Sequence, residues 1–246
     1  MSAQEQVVIV GGTKGLGRLL AERFIAQGHA VTVLSRTKPD GGLAYRHIAV
    51  DLEALVDAAP VVEQVVQAGG KVRYLVFCQR YRGTGDAWQG EMQVTLNATR
   101  LLINGFADQF CDSGDRAIAV VSSVYAQFVG GSQPDSYHVA KAGLNQLVKF
   151  HAWGMGRRNV RINAIMPLSY LKDESRRFVE SNQPLMQLYH DFVPLKRIGE
   201  AADSANLVEF LCSDKAAFIN GQSIFVDGGV SVVWPEELAR TMAGFN

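Results

Sequence analysis

Apolar residues are distributed along this chain in two ways, as short unbroken runs and as stretches where they recur every three or four positions, and the two alternate from one end to the other. Val7, Val8, Ile9 and Val10 form a wholly apolar, β-branched run that stops at Gly11-Gly12, which predicts a strand buried on both faces of a parallel sheet. The mostly apolar segments 30–34, 47–50, 72–77, 117–121, 159–165 and 223–226 predict further strands, several of them with a polar residue inside. Leu16, Leu19, Leu20, Phe24 and Ile25 mark a helix that follows the first strand. Helical spacing also opens at Asp51-Leu52, runs from Trp88 to Phe110, carries Tyr137 and continues to about Gly156, and returns from Ala201 to Cys212. Strands alternating with helices imply right-handed crossovers and an α/β fold, a single doubly wound parallel sheet with helices on both faces. Residues 1–246 read as one domain without repeats, low-complexity tracts or linkers. The irregular, apolar-rich stretch 168–194 predicts either helices packed over the site as a lid or a pair of core helices.

The turn after the first strand reads Gly11-x-x-x-Gly15-x-Gly17 and opens directly into a helix. Glycines there let backbone approach a pyrophosphate, and the amides at the helix start favour its charge. Strand, glycine turn and helix in this order suit a Rossmann-like nucleotide site. An NAD-specific site usually carries an acidic residue at the end of the second strand, for the ribose 2′-hydroxyl. This chain has Ser35-Arg36-Thr37 instead, and with Lys14 these would pair with a 2′-phosphate. The expected cofactor is therefore NADP(H). Asp51 either caps the following helix or faces the adenine, and one residue can do both. Thr13, Leu16, Leu52, Cys78, Gln79 and Pro167 complete the candidate cofactor residues, because ligands bind at the carboxyl ends of parallel strands.

Tyr137 and Lys141 are four residues apart and share a helix face. A lysine charge about 5 Å away, at an effective dielectric near 20, favours phenolate by roughly 3 kcal/mol, about two pKa units. The expectation is a tyrosine of lowered pKa working as a general acid or base. Ser122-Ser123 closes the fifth strand and delivers a hydroxyl to the same end of the sheet. Asn97 lies inside a helical stretch, where asparagine is unfavourable, so it either points to solvent or has a particular buried partner.

Composition narrows the ligand. Lys plus Arg and Asp plus Glu each number 24, so charge gives no reason to propose a nucleic-acid or anionic-membrane partner. A small molecule becomes the default ligand. Apolar residues make up 48% and charged residues 20%, ordinary for a globular chain. The three cysteines, Cys78, Cys111 and Cys212, have no metal or disulfide spacing. No metal is expected. With no basic region ahead of an apolar run at the start and no long apolar segment, the expected location is the cytoplasm.

Taken together in order, the glycine turn, Asn97, Ser123, Tyr137-x-x-x-Lys141, the segment Asn163-Ala164-Ile165-Met166-Pro167, the segment Pro194-Leu195-Lys196-Arg197-Ile198-Gly199 and the closing Asn220-Gly221-Gln222-Ser223-Ile224-Phe225-Val226-Asp227-Gly228-Gly229 resemble the short-chain dehydrogenase/reductase family, in its branch of about 250 residues, and are similar to NADP-dependent carbonyl reductases such as 3-oxoacyl-carrier-protein reductase. The resemblance implies a carbonyl–alcohol oxidoreductase, more often a reductase, in which Tyr137 exchanges the proton with the substrate oxygen. Lys141 would lower the tyrosine pKa and bind ribose hydroxyls, Ser123 would hydrogen-bond the substrate oxygen, and Asn97 would hold a water as a proton relay. It also implies a homotetramer built on the helices around Asn97 and Tyr137. The family's serine stands one residue closer to its tyrosine, so an insertion falls within residues 125–136 and Ser122 stays a reserve candidate.

The chain also departs from the family. Phe77-Cys78-Gln79-Arg80 stands where Asn-Asn-Ala-Gly is usual, Leu168 replaces a glycine after Pro167, and the threonine usual beyond it is missing, with Ser169 a substitute. Arg80 and Arg82 face a phosphate, an acidic substrate or solvent. These departures keep a second reading open, a cofactor-binding regulator without turnover. A sugar-modifying dehydrogenase or epimerase is a third, though the chain length and glycine spacing count against it.

Overall fold

The computed structural model describes residues 5–38, 44–171 and 176–245. Seven parallel strands form one sheet in the order β3-β2-β1-β4-β5-β6-β9. They are β1 (Glu5–Val10), β2 (Ala30–Ser35), β3 (Arg46–Ala49), β4 (Lys71–Phe77), β5 (Ala117–Val121), β6 (Arg161–Pro167) and β9 (Ser223–Val226). Each apolar run became a strand because both faces of the sheet are covered. On one side α1 (Gly15–Ala26) and α8 (Ala201–Leu211) pack with Leu20, Phe24, Val208 and Leu211 against Val7, Ile9 and Val76. On the other, α2 (Ala59–Gly69), α4 (Ala98–Phe106) and α5 (Asp135–Gly156) pack with Val65, Leu102, Phe106, Leu144 and Val148 against Val8, Val10, Leu75 and Ile118.

Chain direction across the sheet reverses between β1 and β4, and the turns after these two strands flank the crevice where such sheets bind ligands. The Gly11 amide donates to the Leu34 carbonyl at 2.8 Å and the Cys78 amide to the Val10 carbonyl at 2.8 Å, holding both turns to the sheet. At Gly11, φ is +80° and a Cβ would stand 2.8 Å from the Gln79 amide nitrogen, so only glycine lets the two turns touch.

Four details differ from the sequence expectation. The helix expected to open at Asp51-Leu52 starts only at Ala59, so Asp51 does not cap it. The sixth strand starts at Arg161 rather than at residue 159, because Asn159 turns the chain out of α5 in a left-handed conformation, φ 57°. The helix expected over 88–110 is α3 (Ala87–Glu91), a π-helical segment Met92–Asn97 and α4, and it stops at Phe106. A second, two-stranded sheet pairs β7 (Tyr170–Leu171) with β8 (Gly199–Glu200). Within 168–194 lie β7, α6 (Arg176–Ser181) and α7 (Gln183–Phe192), and residues 172–175 of that stretch lie outside the described residues. Beyond β9, α9 (Pro235–Met242) packs on α7.

Two of the motifs named above act as stitching. Asn163 donates to the Ile219 carbonyl at 2.8 Å and accepts from the Gln222 amide at 3.0 Å, while Asn220 accepts from the Ile162 amide at 2.9 Å and donates to the Ala152 carbonyl at 2.9 Å. Together they tie β6 to the segment entering β9 and to α5. Among the described residues no helix is long and apolar enough to cross a membrane.

Candidate active site

The β5 ladder continues one residue past the strand, with the Ser122 amide donating to the Ile165 carbonyl at 2.8 Å. Ser122 is buried, and its hydroxyl donates to the Lys141 carbonyl at 3.3 Å, fastening the strand end to α5. Ser123 follows in extended conformation and its Oγ accepts from the Tyr125 amide at 3.2 Å, capping a single 3₁₀ turn (Val124–Ala126). The Ser123 hydroxyl favours the ionised form of the Tyr137 phenol. The two serines thus have separate surroundings, one facing the helix backbone and the other the phenol.

Tyr137 and Lys141 lie on the first turns of α5 and face the same cleft. The Lys141 ammonium stands 5.6 Å from the centre of the Tyr137 ring and donates to the Val121 carbonyl at 2.8 Å. Tyr125 packs edge-on against Tyr137, with centroids 6.3 Å apart, and its hydroxyl is 2.8 Å from Ser132 Oγ. His138 accepts from the Gly130 amide at 3.1 Å, fixing the loop before the helix.

The expected lowering of the tyrosine pKa is not what this arrangement produces. Burial raises the Tyr137 pKa, Ser123 and Arg80 oppose that rise, and the negative charge of Glu91 adds to it. Desolvation outweighs the nearby cations because the phenolate would sit largely out of water. Lys141 moves the other way: burial, with help from Arg80, brings it down to about 8, and Glu91 and Cys78 resist. At neutral pH the pair is a neutral phenol beside an ammonium.

Asn97 is not part of this cleft. It is exposed, donates to Gln93 Oε1 at 3.2 Å and lines a separate surface hollow with Glu53 and Trp88. The π-helical segment explains the correction. Each extra residue in a π turn rotates the following positions around the axis relative to an α-helix, and Thr95 turns inward where Asn97 turns out. Thr95 is buried and donates to the carboxylate of buried Glu91 at 2.8 Å. Glu91 is the functional candidate that sequence reasoning missed; a lone glutamate within a helical stretch carries no signal of burial.

The candidate cofactor residues fall along one crevice. Gly11, Thr13, Lys14, Ser35, Arg36, Thr37, Asp51 and Leu52 line a cavity of about 560 Å³, which shares Lys14, Cys78, Gln79, Arg80 and Arg82 with the cleft of about 360 Å³ beside Tyr137. Gly15, Leu16, Gly17 and Pro167 line the cleft itself. A nucleotide fits these residues on two counts. A Cβ at Gly17 would stand 2.3 Å from the Gly11 carbonyl oxygen, so the turn is a tight backbone cradle, while Gly15 opens on free space. The buried Gln79 Oε1 has no hydrogen-bond partner among the described residues, although its Nε2 donates to Thr99 at 2.7 Å. It is an unpaired acceptor on a residue that lines both cavities. Arg36 is exposed and pairs with Glu53 at 3.0 Å, Ser35 Oγ lies 2.9 Å from His47 Nε2, and Asp51 accepts from the Glu53 amide at 3.0 Å.

The family model described as enoyl-(acyl carrier protein) reductase matches residues 10–231. The chain belongs to the short-chain dehydrogenase/reductase family. Among its relatives in this oxidoreductase family, dehydrogenase/reductase SDR family member 4 from Pongo abelii is 25% identical over 92% of this chain and 87% of its own length. An L-rhamnose 1-dehydrogenase (NAD(P)(+)) from Azotobacter vinelandii is 28% identical over 92% of this chain and 96% of that protein. In structure, the ligand-free aldohexose dehydrogenase of Thermoplasma acidophilum superposes with a TM-score of 0.80 at 26% identity, covering 94% of this chain and 96% of that one. Its Rossmann-like α/β architecture matches the sheet described above.

Val179, Leu185 and Tyr189 from α6 and α7 line the catalytic cleft of this short-chain dehydrogenase/reductase. Among the described residues no group of three or more His, Cys, Asp or Glu side chains is placed to hold a metal ion. Burial pushes the Cys78 thiol up to about 12, which removes it as a nucleophile at neutral pH.

Proposed function

We propose that this protein is an NADP-dependent oxidoreductase that reduces a carbonyl to a secondary alcohol. One observation carries the reading: the Tyr137 phenol, raised in pKa by burial, faces a cleft beside the Ser123 hydroxyl and the Lys141 ammonium. A phenol that holds its proton at neutral pH is a ready donor to a carbonyl oxygen and a reluctant base toward an alcohol. When bound, the nicotinamide cofactor supplies the hydride to the carbonyl carbon. Tyr137 gives its Oη proton to the oxygen, Ser123 holds that oxygen by a hydrogen bond, and the Lys141 charge steadies the phenolate left behind. Lys141 and Gln79 would hold the cofactor's ribose and amide groups, and the glycine turn with Lys14 its phosphates.

Preference for NADP is supported by Arg36, Lys38 and Lys14 lining the adenosine end of the crevice. The Arg36–Glu53 pair is exposed on both sides, and such pairs are worth at most about 1 kcal/mol. A 2′-phosphate could displace Glu53. Residues 168–194 act as a lid over the substrate, supported by Leu185 and Tyr189 reaching the cleft from a helix with no buried residue. Exposed Phe150 and Trp153 on α5 support assembly into a homotetramer through that helix, and three free cysteines suit the cytoplasm.

The outward position of Asn97 favours one other reading, a cofactor-binding regulator without turnover. Loss of NADPH absorbance over a panel of ketones and aldehydes separates the two. Turnover that disappears in Tyr137→Phe supports the reductase; tight NADPH binding with no turnover on any carbonyl supports the regulator.

A further inference from the structure

Four charged side chains line the catalytic cleft, Lys14, Arg80, Arg82 and Lys141, and all are cations; among the described residues no aspartate or glutamate lines it. Lys14 belongs to the glycine turn and Lys141 to the proton-transfer pair, which leaves the two arginines. The Arg80 guanidinium carbon stands 5.6 Å from the centre of the Tyr137 ring, and its one polar contact among the described residues is a long hydrogen bond to Gln133 Oε1, 3.4 Å. Arginines elsewhere are engaged differently: Arg23, Arg73 and Arg161 each hold a carboxylate.

Arg82 acts on the same side of the cleft, where it and Arg80 both oppose the burial-driven rise of the Tyr170 pKa. Arg80 and Lys141 each stand 5.6 Å from the centre of the Tyr137 ring, and Arg80 opposes the charge on Lys141. An anion bound in the cleft at Arg80 would offset that repulsion and accept the planar fork of donors. The same cleft is also lined by the apolar and aromatic side chains of Val179, Leu185 and Tyr189.

We propose that Arg80 recognises a carboxylate or phosphate carried by the carbonyl substrate near its reacting carbon, so that the substrate class is an oxo acid or phosphorylated carbonyl compound with an apolar remainder. The assignment rests on the hydride-transfer reading above. Arg80 also borders the adenosine cavity, so a cofactor phosphate is the competing partner and the test must separate the two.

The probes are an aromatic 2-oxo acid and its methyl ester, assayed with NADPH on the wild type, Arg80→Gln and Arg80→Lys. The wild type should prefer the acid. Arg80→Gln should raise KM for the acid roughly tenfold or more, collapse the acid-to-ester ratio and leave the NADPH dissociation constant in place, with Arg80→Lys recovering part of the ratio. Calorimetric binding of the acid to the enzyme–NADP complex gives the same comparison without turnover: the wild type should bind it and Arg80→Gln should not. Acid and ester treated alike by the wild type would overturn the proposal, as would an Arg80→Gln protein that loses NADPH affinity while keeping its acid-to-ester ratio. Binding of the acid without reduction of any carbonyl would sink the hydride-transfer reading while leaving the anion site standing.

Discussion

Lys141 stands 5.6 Å from the centre of the Tyr137 ring, yet the tyrosine keeps a raised pKa because both groups are drawn out of water. The lysine carries the larger adjustment, down to about 8. Above that pH the ammonium is lost, and with it the charge that steadies a phenolate. Reduction should therefore hold level at neutral pH and fall on an alkaline limb near 8. Removing the negative charge in Glu91→Gln withdraws support from the charged lysine, so the limb should move to lower pH. A pH profile of kcat for the two proteins checks this, and a limb that stays in place removes Glu91 from the account.

The two serines should separate by what they break. Ser123→Ala removes the hydroxyl beside the phenol and should lower kcat roughly a hundredfold with stability kept. Ser122→Ala removes the buried bond to the Lys141 carbonyl and should cost about 1 kcal/mol of stability with most turnover kept. Denaturant titration beside steady-state kinetics reads both, and the reverse pattern would exchange their roles.

Gly17→Ala should damage cofactor binding directly. Its Cβ would meet the Gly11 carbonyl oxygen at 2.3 Å and the Gly12 Cα at 3.0 Å, both backbone atoms with little freedom to retreat. Overpacking of this kind costs about 1–3 kcal/mol, and the displaced turn should weaken NADPH binding measured by fluorescence.

Arg36→Asp should move the cofactor preference toward NADH by placing a carboxylate where the ribose 2′-hydroxyl would be met. Glu53→Gln should do the opposite, because it frees Arg36 from its 3.0 Å pair. The ratio of kcat/KM for NADPH and NADH is the readout, and an unchanged ratio in both variants would remove Arg36 from cofactor discrimination.

The parallel sheet was legible because strands covered on both faces need mostly apolar residues, and Val7 to Val10 or Ala117 to Val121 have little other use. β7 and β8 were not, since a pair of two-residue strands carries no periodicity. Tyr137, Lys141, Ser123 and the glycine turn could be read from spacing, and the structure brings them to one crevice. Asn97 could not be placed, because nothing in Met92–Asn97 signals the π turn that rotates it outward and Thr95 inward. The direction of the Tyr137 shift was also hidden: spacing reports the distance between charges, whereas burial depends on the packing of α5, the β5 end, α6 and α7 around the cleft.

The central claim is that Tyr137 supplies the proton in a hydride transfer, and single-turnover NADPH oxidation by wild type and Tyr137→Phe in the presence of a carbonyl substrate tests it most directly. The account predicts unchanged NADPH affinity and a rate lower in the variant by a factor on the order of a hundred to ten thousand. Equal rates in the two proteins would contradict it.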